Sequence, residues 1–244
     1  MVVTHSSRAD EGAAGDRYLR APVPVHFPEA ELVPETKRHL EQRTALYQVV
    51  KHAFRERAAI GCDQFVYWDP TDPKQCLAPD VFVRLGTRDE QFRSWKVWER
   101  GAPDVAVEIL SKNDRRDDDL DTKLEQYRRL GVRELVCFDS EREPPSLRVW
   151  DAVDGDLVER AVEGLVAPSH YLPAAWVVVS DEESGWLLRL SSDPLGKKLL
   201  PTPAEEERRV AEEERRVAEE ERAKRLAAEE LLRKLQAELA QRGC

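Results

Sequence analysis

Hydrophobic and polar positions change their spacing several times along the chain, and each change predicts an element. Over residues 35–57, Leu40, Tyr47, Val50 and Phe54 recur at near-helical spacing and predict a first helix, which Gly61 stops. Three β-like runs come next: QFVYW at 64–68, PDVFVRL at 79–85 and PDVAVEIL at 103–110, with DPTDPK a turn between the first two. SKNDRRDDD reads as a polar loop, 120–130 as a helix ended by Gly131, and ELVCFD at 134–139 as another strand. LRVWDA and DLVERAV flank Asp154 and Gly155 and predict a hairpin; HYLPAAWVVV and GWLLRL then predict a last strand and a helical turn. Helix, three strands, helix, strand and β additions make an α/β (α+β) sheet with a crossover helix covering one face.

The two ends read differently. Residues 1–20 read as a disordered arm, and the four prolines of APVPVHFPEAELVPE exclude helix from that segment, which adjoins the arm. A body over 21–193 and a linker over 194–203 lead to a tail over 204–244, which opens AEEERRV, AEEERRV, AEEERAK. A seven-residue repeat without proline or glycine predicts one long helix. Glu205 with Arg209 and Glu212 with Arg216 are i,i+4 pairs in the favourable order, each worth about 0.2–0.5 kcal/mol. A solvated single helix and a self-associating coiled coil both fit. Leu226, Leu231, Leu235 and Leu239 favour the coiled coil, and with it a homo-oligomer.

Charge narrows the function classes. The chain carries a net −10, and 35% of its residues are charged. The tail holds ten Lys/Arg against twelve Asp/Glu, so most of the negative balance belongs to the body. An acidic body argues against tight non-specific nucleic-acid binding and suits a site that collects a divalent cation. Cys62, Cys76, Cys137 and Cys244 form neither a CxxC pair nor a zinc-spaced cluster, so free thiols and a reducing, cytoplasmic compartment are expected. No stretch has the roughly 20 apolar residues that cross a bilayer.

Three charges break the apolar pattern. In PDVAVEIL, Val105, Val107 and Ile109 alternate with Ala106, Glu108 and Leu110, and a strand apolar on both faces is covered on both. Glu108 therefore leaves water and must protonate, pair or hold a metal. Asp80 stands at the head of VFVRL with the same problem, and two nearby carboxylates repel unless a cation such as Mg²⁺ lies between them. Lys123 shares a helix face with Leu120, Tyr127 and Leu130, so its amine points at the sheet. Pattern alone leaves two readings open: a cation site, or a structural Glu108–Lys123 ion pair with Asp80 capping a turn.

PD at 79–80, VEILS at 107–111, and D-x-x-x-K-x-x-x-Y at Asp119, Lys123 and Tyr127, followed by LGV and ELVCFD, resemble the Uma-two family of the PD-(D/E)XK restriction-endonuclease-like superfamily. The resemblance covers roughly residues 30–190 and is specific over 79–139. It implies an αβββαβ core and a metal-dependent endonuclease, with Asp80, Glu108 and Lys123 catalytic. Asp80, Glu108 and the Leu110 carbonyl would be ligands of Mg²⁺ or Mn²⁺, with Ser111, Asp119 and Tyr127 around them. The superfamily's usual lysine lies two residues after the acidic strand residue. Here Leu110 holds that place and the lysine sits on the next helix, with Lys112 a weaker candidate. Glu41 offers a further carboxylate, although a solvated helix residue is the ordinary reading.

The implied partner is nucleic acid, DNA first, and no membrane. Lys112, Arg115 and Arg116, with Arg93, Lys96 and Arg100, supply basic loops for it, against the acidic run at 117–119. The alternatives are an idle nuclease-like fold that assembles through its tail, and a hydrolase of small phosphoesters.

Overall fold

The computed structural model describes residues 36–110, 117–182 and 185–242, with the backbone alone at 117–119 and 239–241. The N-terminal arm, the proline-rich segment to 35, the loop over 111–116 and Cys244 lie outside the described residues.

Along the chain run α1 (Lys37–Phe54), β1 (Ala58–Gly61), β2 (Val66–Tyr67), β3 (Cys76–Leu77), β4 (Val81–Leu85), β5 (Trp95–Lys96), α2 (Val97–Arg100) and β6 (Val105–Ile109). Then come α3 (Asp117–Leu130), β7 (Glu134–Asp139), β8 (Ser146–Val153), β9 (Asp156–Arg160), β10 (Val166–Pro168), β11 (Ala175–Asp181), β12 (Gly185–Ser191) and α4 (Pro203–Arg242). The central sheet has the order β1-β4-β6-β7-β8-β9. Its one parallel pair, β6 with β7, is joined through α3, and the other neighbours are antiparallel. The core sequence is α1, β1, β4, β6, α3, β7, an αβββαβ arrangement with added strands and a long C-terminal helix.

Alternating side chains give this sheet two apolar faces. On one, Val81, Val105, Val107 and Val136 pack under Leu46 and Val49 of α1 and under Trp176 and Leu190 of the β10-β11-β12 sheet. On the other, Phe82, Ala106 and Leu135 pack under Tyr127 and Leu130 of α3 and Trp95 of the β3-β2-β5 sheet. Burial on both sides is why β6 reads as a continuous apolar run.

Local chemistry sets the boundaries. The Thr36 hydroxyl accepts the His39 N–H and caps α1. Gly131, at φ 84°, ends α3. Asp154 and Gly155, both at positive φ, make the β8–β9 turn.

Four expectations need correction. Gly61 does not stop the first helix; it ends β1, where a Cβ would lie 2.0 Å from the Phe82 ring. The first core strand is accordingly AAIG, while QFVYW contributes the two-residue β2 of a side sheet. Leu40 is exposed, whereas Val50 and Phe54 are buried and Tyr47 packs partly against the core as expected; Gln42, Leu46 and Val49 complete the buried stripe of α1. GWLLRL is a strand, β12, held to β11 over its whole length.

α4 leaves the body at a fixed point. Arg189 of β12 donates to Glu205 at 2.8 Å, and Thr202 and Glu205 exchange first-turn hydrogen bonds. Beyond that turn the described side chains are exposed, and the ion pairs run within the helix, as in Arg209–Glu206, Arg216–Glu220 and Lys234–Glu230. Among the described residues no helix is long and apolar enough to cross a membrane.

Candidate functional site

β4 and β6 pair with Val81 opposite Val107. Asp80 directly precedes β4 and Glu108 directly follows Val107; the Ile109 N–H donates to an Asp80 carboxylate oxygen, and the Asp80 charge acts on Glu108. Both acids are nearly out of water, 6% and 8% exposed.

Each carboxylate oxygen already has a donor. His39 Nε2 of α1 lies 2.8 Å from Asp80 Oδ1, and the Ile109 N–H donates to Oδ2 at 2.7 Å. Lys123 Nζ donates to Glu108 Oε2 at 2.9 Å, and the Tyr127 hydroxyl donates to Oε1. Lys123 and Tyr127 are one turn apart on α3, so the helix that covers the sheet delivers both donors to one acid. An ionised carboxyl has about four lone-pair positions, so four donors leave both acids with capacity for a further ligand.

The electrostatics are set by burial. Loss of water raises the Glu108 pKa; Lys123 opposes that shift, and the Asp80 charge adds to it. Burial, with the Glu108 charge beside it, holds the Tyr127 phenol well above its usual value, so it remains a donor. A small divalent cation, which takes oxygen ligands from one or two carboxylates, would offset the burial and the Asp80 charge that disfavour ionised Glu108. A pair of buried carboxylates is the kind of oxygen donor set that hard divalent cations take.

Of the residues marked by sequence, Asp80, Glu108, Lys123 and Tyr127 come together. Leu110 directly succeeds β6, its N–H bonded to the Phe138 carbonyl at 2.7 Å. Ser111, Lys112, Arg115 and Arg116 lie outside the described residues, as does the side chain of Asp119. Glu41 pairs with Lys37 on the exposed face of α1, away from the acids.

The sequence reading missed His39. Its signal was available: His39, Gln42, Leu46 and Val49 lie at helical spacing, and two polar members interrupt an otherwise apolar stripe.

A second cluster also went unread. Among the described residues, one group of three metal-type side chains has its donor atoms within 4.8 Å of one another: Glu134, Asp151 and His170. Glu134 already accepts three hydrogen bonds. Ser169 Oγ and Trp176 Nε1 donate to its Oε1, and the His170 N–H donates to Oε2. Arg160 stands 3.5 Å from Glu134 and 3.6 Å from Asp151. With a guanidinium supplying the positive charge, this cluster ties β7, β8, β9 and the segment before β11 together.

A family model, Uma2, described as "Putative restriction endonuclease", matches residues 29–181. A solved structure described as "a putative nuclease belonging to DUF820" from Anabaena variabilis is similar at 14% identity and a TM-score of 0.42, covering 55% of this chain and 73% of that one. No curated protein matches the chain.

Proposed function

The chain belongs to the Uma2 family, and from that membership we propose that it is a divalent-cation-dependent endonuclease acting on nucleic-acid phosphodiester bonds, DNA first. One observation carries the reading: Asp80, which accepts the Ile109 N–H, stands near enough to Glu108 for its charge to act there, with the Lys123 amine on Glu108. An acid pair with a lysine under a covered sheet face is poorly suited to simple structural service, because burial raises the Glu108 pKa and the Asp80 charge raises it further.

In this reading Asp80 and Glu108 would hold Mg²⁺ or Mn²⁺, with the Leu110 carbonyl a further ligand. When bound, such an ion polarises the scissile phosphate and acidifies a water. The chain's own groups do the rest. His39 and the Ile109 N–H fix the plane of Asp80, and Tyr127 fixes that of Glu108. Lys123, 25% exposed at its side chain, can turn from Glu108 toward a phosphate oxygen and oppose the charge that develops there. Ser111 and Asp119 stand in the chain beside this set and would complete its surroundings.

The exposed leucines of α4 favour an added role in assembly. Leu226, Leu231, Leu232 and Leu235 are each about half exposed or more, and they fall near the end of a helix whose ion pairs are its own. A second copy of this chain, paired along that segment, would cover them.

The deciding experiment is a cleavage assay on supercoiled, linear and single-stranded DNA and on RNA, with Mg²⁺, Mn²⁺ or EDTA. Metal-dependent scission that disappears in Asp80→Asn is expected. Absence of scission on all four substrates with either metal overturns the reading in favour of an assembly protein with an idle site.

A further inference from the structure

The side sheet β3-β2-β5 has one face buried and one face partly exposed. Val66, Leu77 and Trp95 share a register row, and Val66 and Trp95 are fully buried against Phe82 and Tyr127. The next row, Tyr67, Cys76 and Lys96, points the other way by strand alternation. Phe65 stands on that face too, two residues before Tyr67, and the Trp95 N–H continues the ladder to its carbonyl at 2.8 Å. Phe65 is 54% exposed, and its ring lies 6.1 Å from that of Tyr67, tilted by 47°.

This face is fastened beside the acid pair. The Asp63 N–H donates to the carbonyl of Pro79, the residue before Asp80, at 2.9 Å. Arg43 of α1 holds the Asp63 carboxylate at 2.8 Å. Tyr67 pairs with Cys76, four residues from Asp80, which an extended chain covers in at most about 14 Å. A strand rising about 3.4 Å per nucleotide spans that distance in about four nucleotides.

A lone exposed aromatic is ordinary. Two neighbouring rings on one strand face, with Lys74 exposed in the turn before β3 and Lys96 in the same row, paired at 3.2 Å with half-exposed Glu99, match the way unpaired nucleic acid is held: bases against ring faces, backbone against amines. A paired duplex keeps its bases in its own stack and offers such rings little. We propose that Phe65 and Tyr67 are a stacking platform for unpaired bases, so that the preferred substrate has a single-stranded or splayed segment next to the scissile phosphate. This rests on the reading of Asp80 and Glu108 as a nuclease site.

The test uses the full chain in EDTA, so that binding is measured without scission. Fluorescence anisotropy with a short labelled oligothymidylate and with a blunt duplex of equal length compares the unmutated protein with Phe65→Ala, Tyr67→Ala and Phe65→Trp. Expected are tighter binding of the single strand, a loss of about tenfold for each ring removed, and retention in Phe65→Trp. Phe65 is exposed and Tyr67 half-buried, so thermal melts verify that each variant folds, and Phe65→Ala carries the test if Tyr67→Ala does not. Equal binding of strand and duplex, no binding of the strand, or full retention in both alanine variants overturns the platform. The two readings fail separately. Ring-dependent binding without scission on any substrate supports the platform and removes the nuclease. Metal-dependent scission unaffected by Phe65→Ala on single strands and duplexes alike does the reverse.

Discussion

Lys123 Nζ sits 2.9 Å from Glu108 Oε2, reaching down from α3 to the strand that the helix covers. Lys123→Met should cost the metal-free protein about 1–3 kcal/mol, because Glu108 keeps its burial and loses its cation. In the cation-site reading, Mg²⁺ restores part of that loss, and cleavage is abolished all the same. Thermal melts with Mg²⁺ and with EDTA measure both; a protein indifferent to Mg²⁺ would return Glu108 and Lys123 to a structural ion pair.

The pH dependence comes from the raised Glu108 pKa. The folded state holds this proton more tightly than the unfolded chain does. The stability it contributes is therefore present at low pH and lost as pH climbs from the ordinary carboxylate value through the raised one. Glu108→Gln cannot titrate. In EDTA, the unmutated protein should lose stability relative to Glu108→Gln across that window, and Mn²⁺ should reverse the trend at neutral pH. Urea melts at a series of pH values read the difference, and parallel curves would contradict it.

His39 acts on the cation only through Asp80 in the proposed site. His39→Ala should weaken metal binding about 10- to 100-fold, the usual effect of removing a group that orients a ligand, while the α1 cap at Thr36 persists. Titration calorimetry with Mn²⁺ provides the readout independently of cleavage.

The two acidic clusters make opposite predictions. His170→Ala, at an exposed position, should leave the Mg²⁺-induced rise in melting temperature unchanged, whereas Asp80→Asn should remove it. The opposite pattern would move the metal to Glu134 and Asp151.

For α4, Leu231→Glu with Leu235→Glu should lower the mass seen by light scattering and leave the body's melting temperature in place. An unchanged mass would assign the helix to solvent.

Legibility in the sequence tracked burial. Glu108 and Lys123 were visible because each interrupts a long apolar pattern whose period is unambiguous, and the two side chains meet. His39 was equally anomalous, but the stripe on α1 was extended toward its N-terminus through exposed Leu40 instead of through Leu46, Gln42 and His39. AAIG was hidden because four small or branched residues after a helix have no period of their own. Its strand character comes from pairing with β4 and from Phe82 filling the space above Gly61. The Glu134 cluster depends on partners from β8, β9 and the turn before β11, contacts between distant segments that local spacing does not encode.

The self-contained ion pairs of α4 have a consequence for where the chain gives way. Exposed pairs are weak and salt-screened, and past the first turn of the helix its described side chains offer no packed face to hold it. Its backbone amides should exchange with deuterium long before those of β6 or β7. Rising ionic strength should widen that gap, and a protease should trim the chain from its C-terminal end inward toward Glu205, where the Arg189 contact stops the fraying.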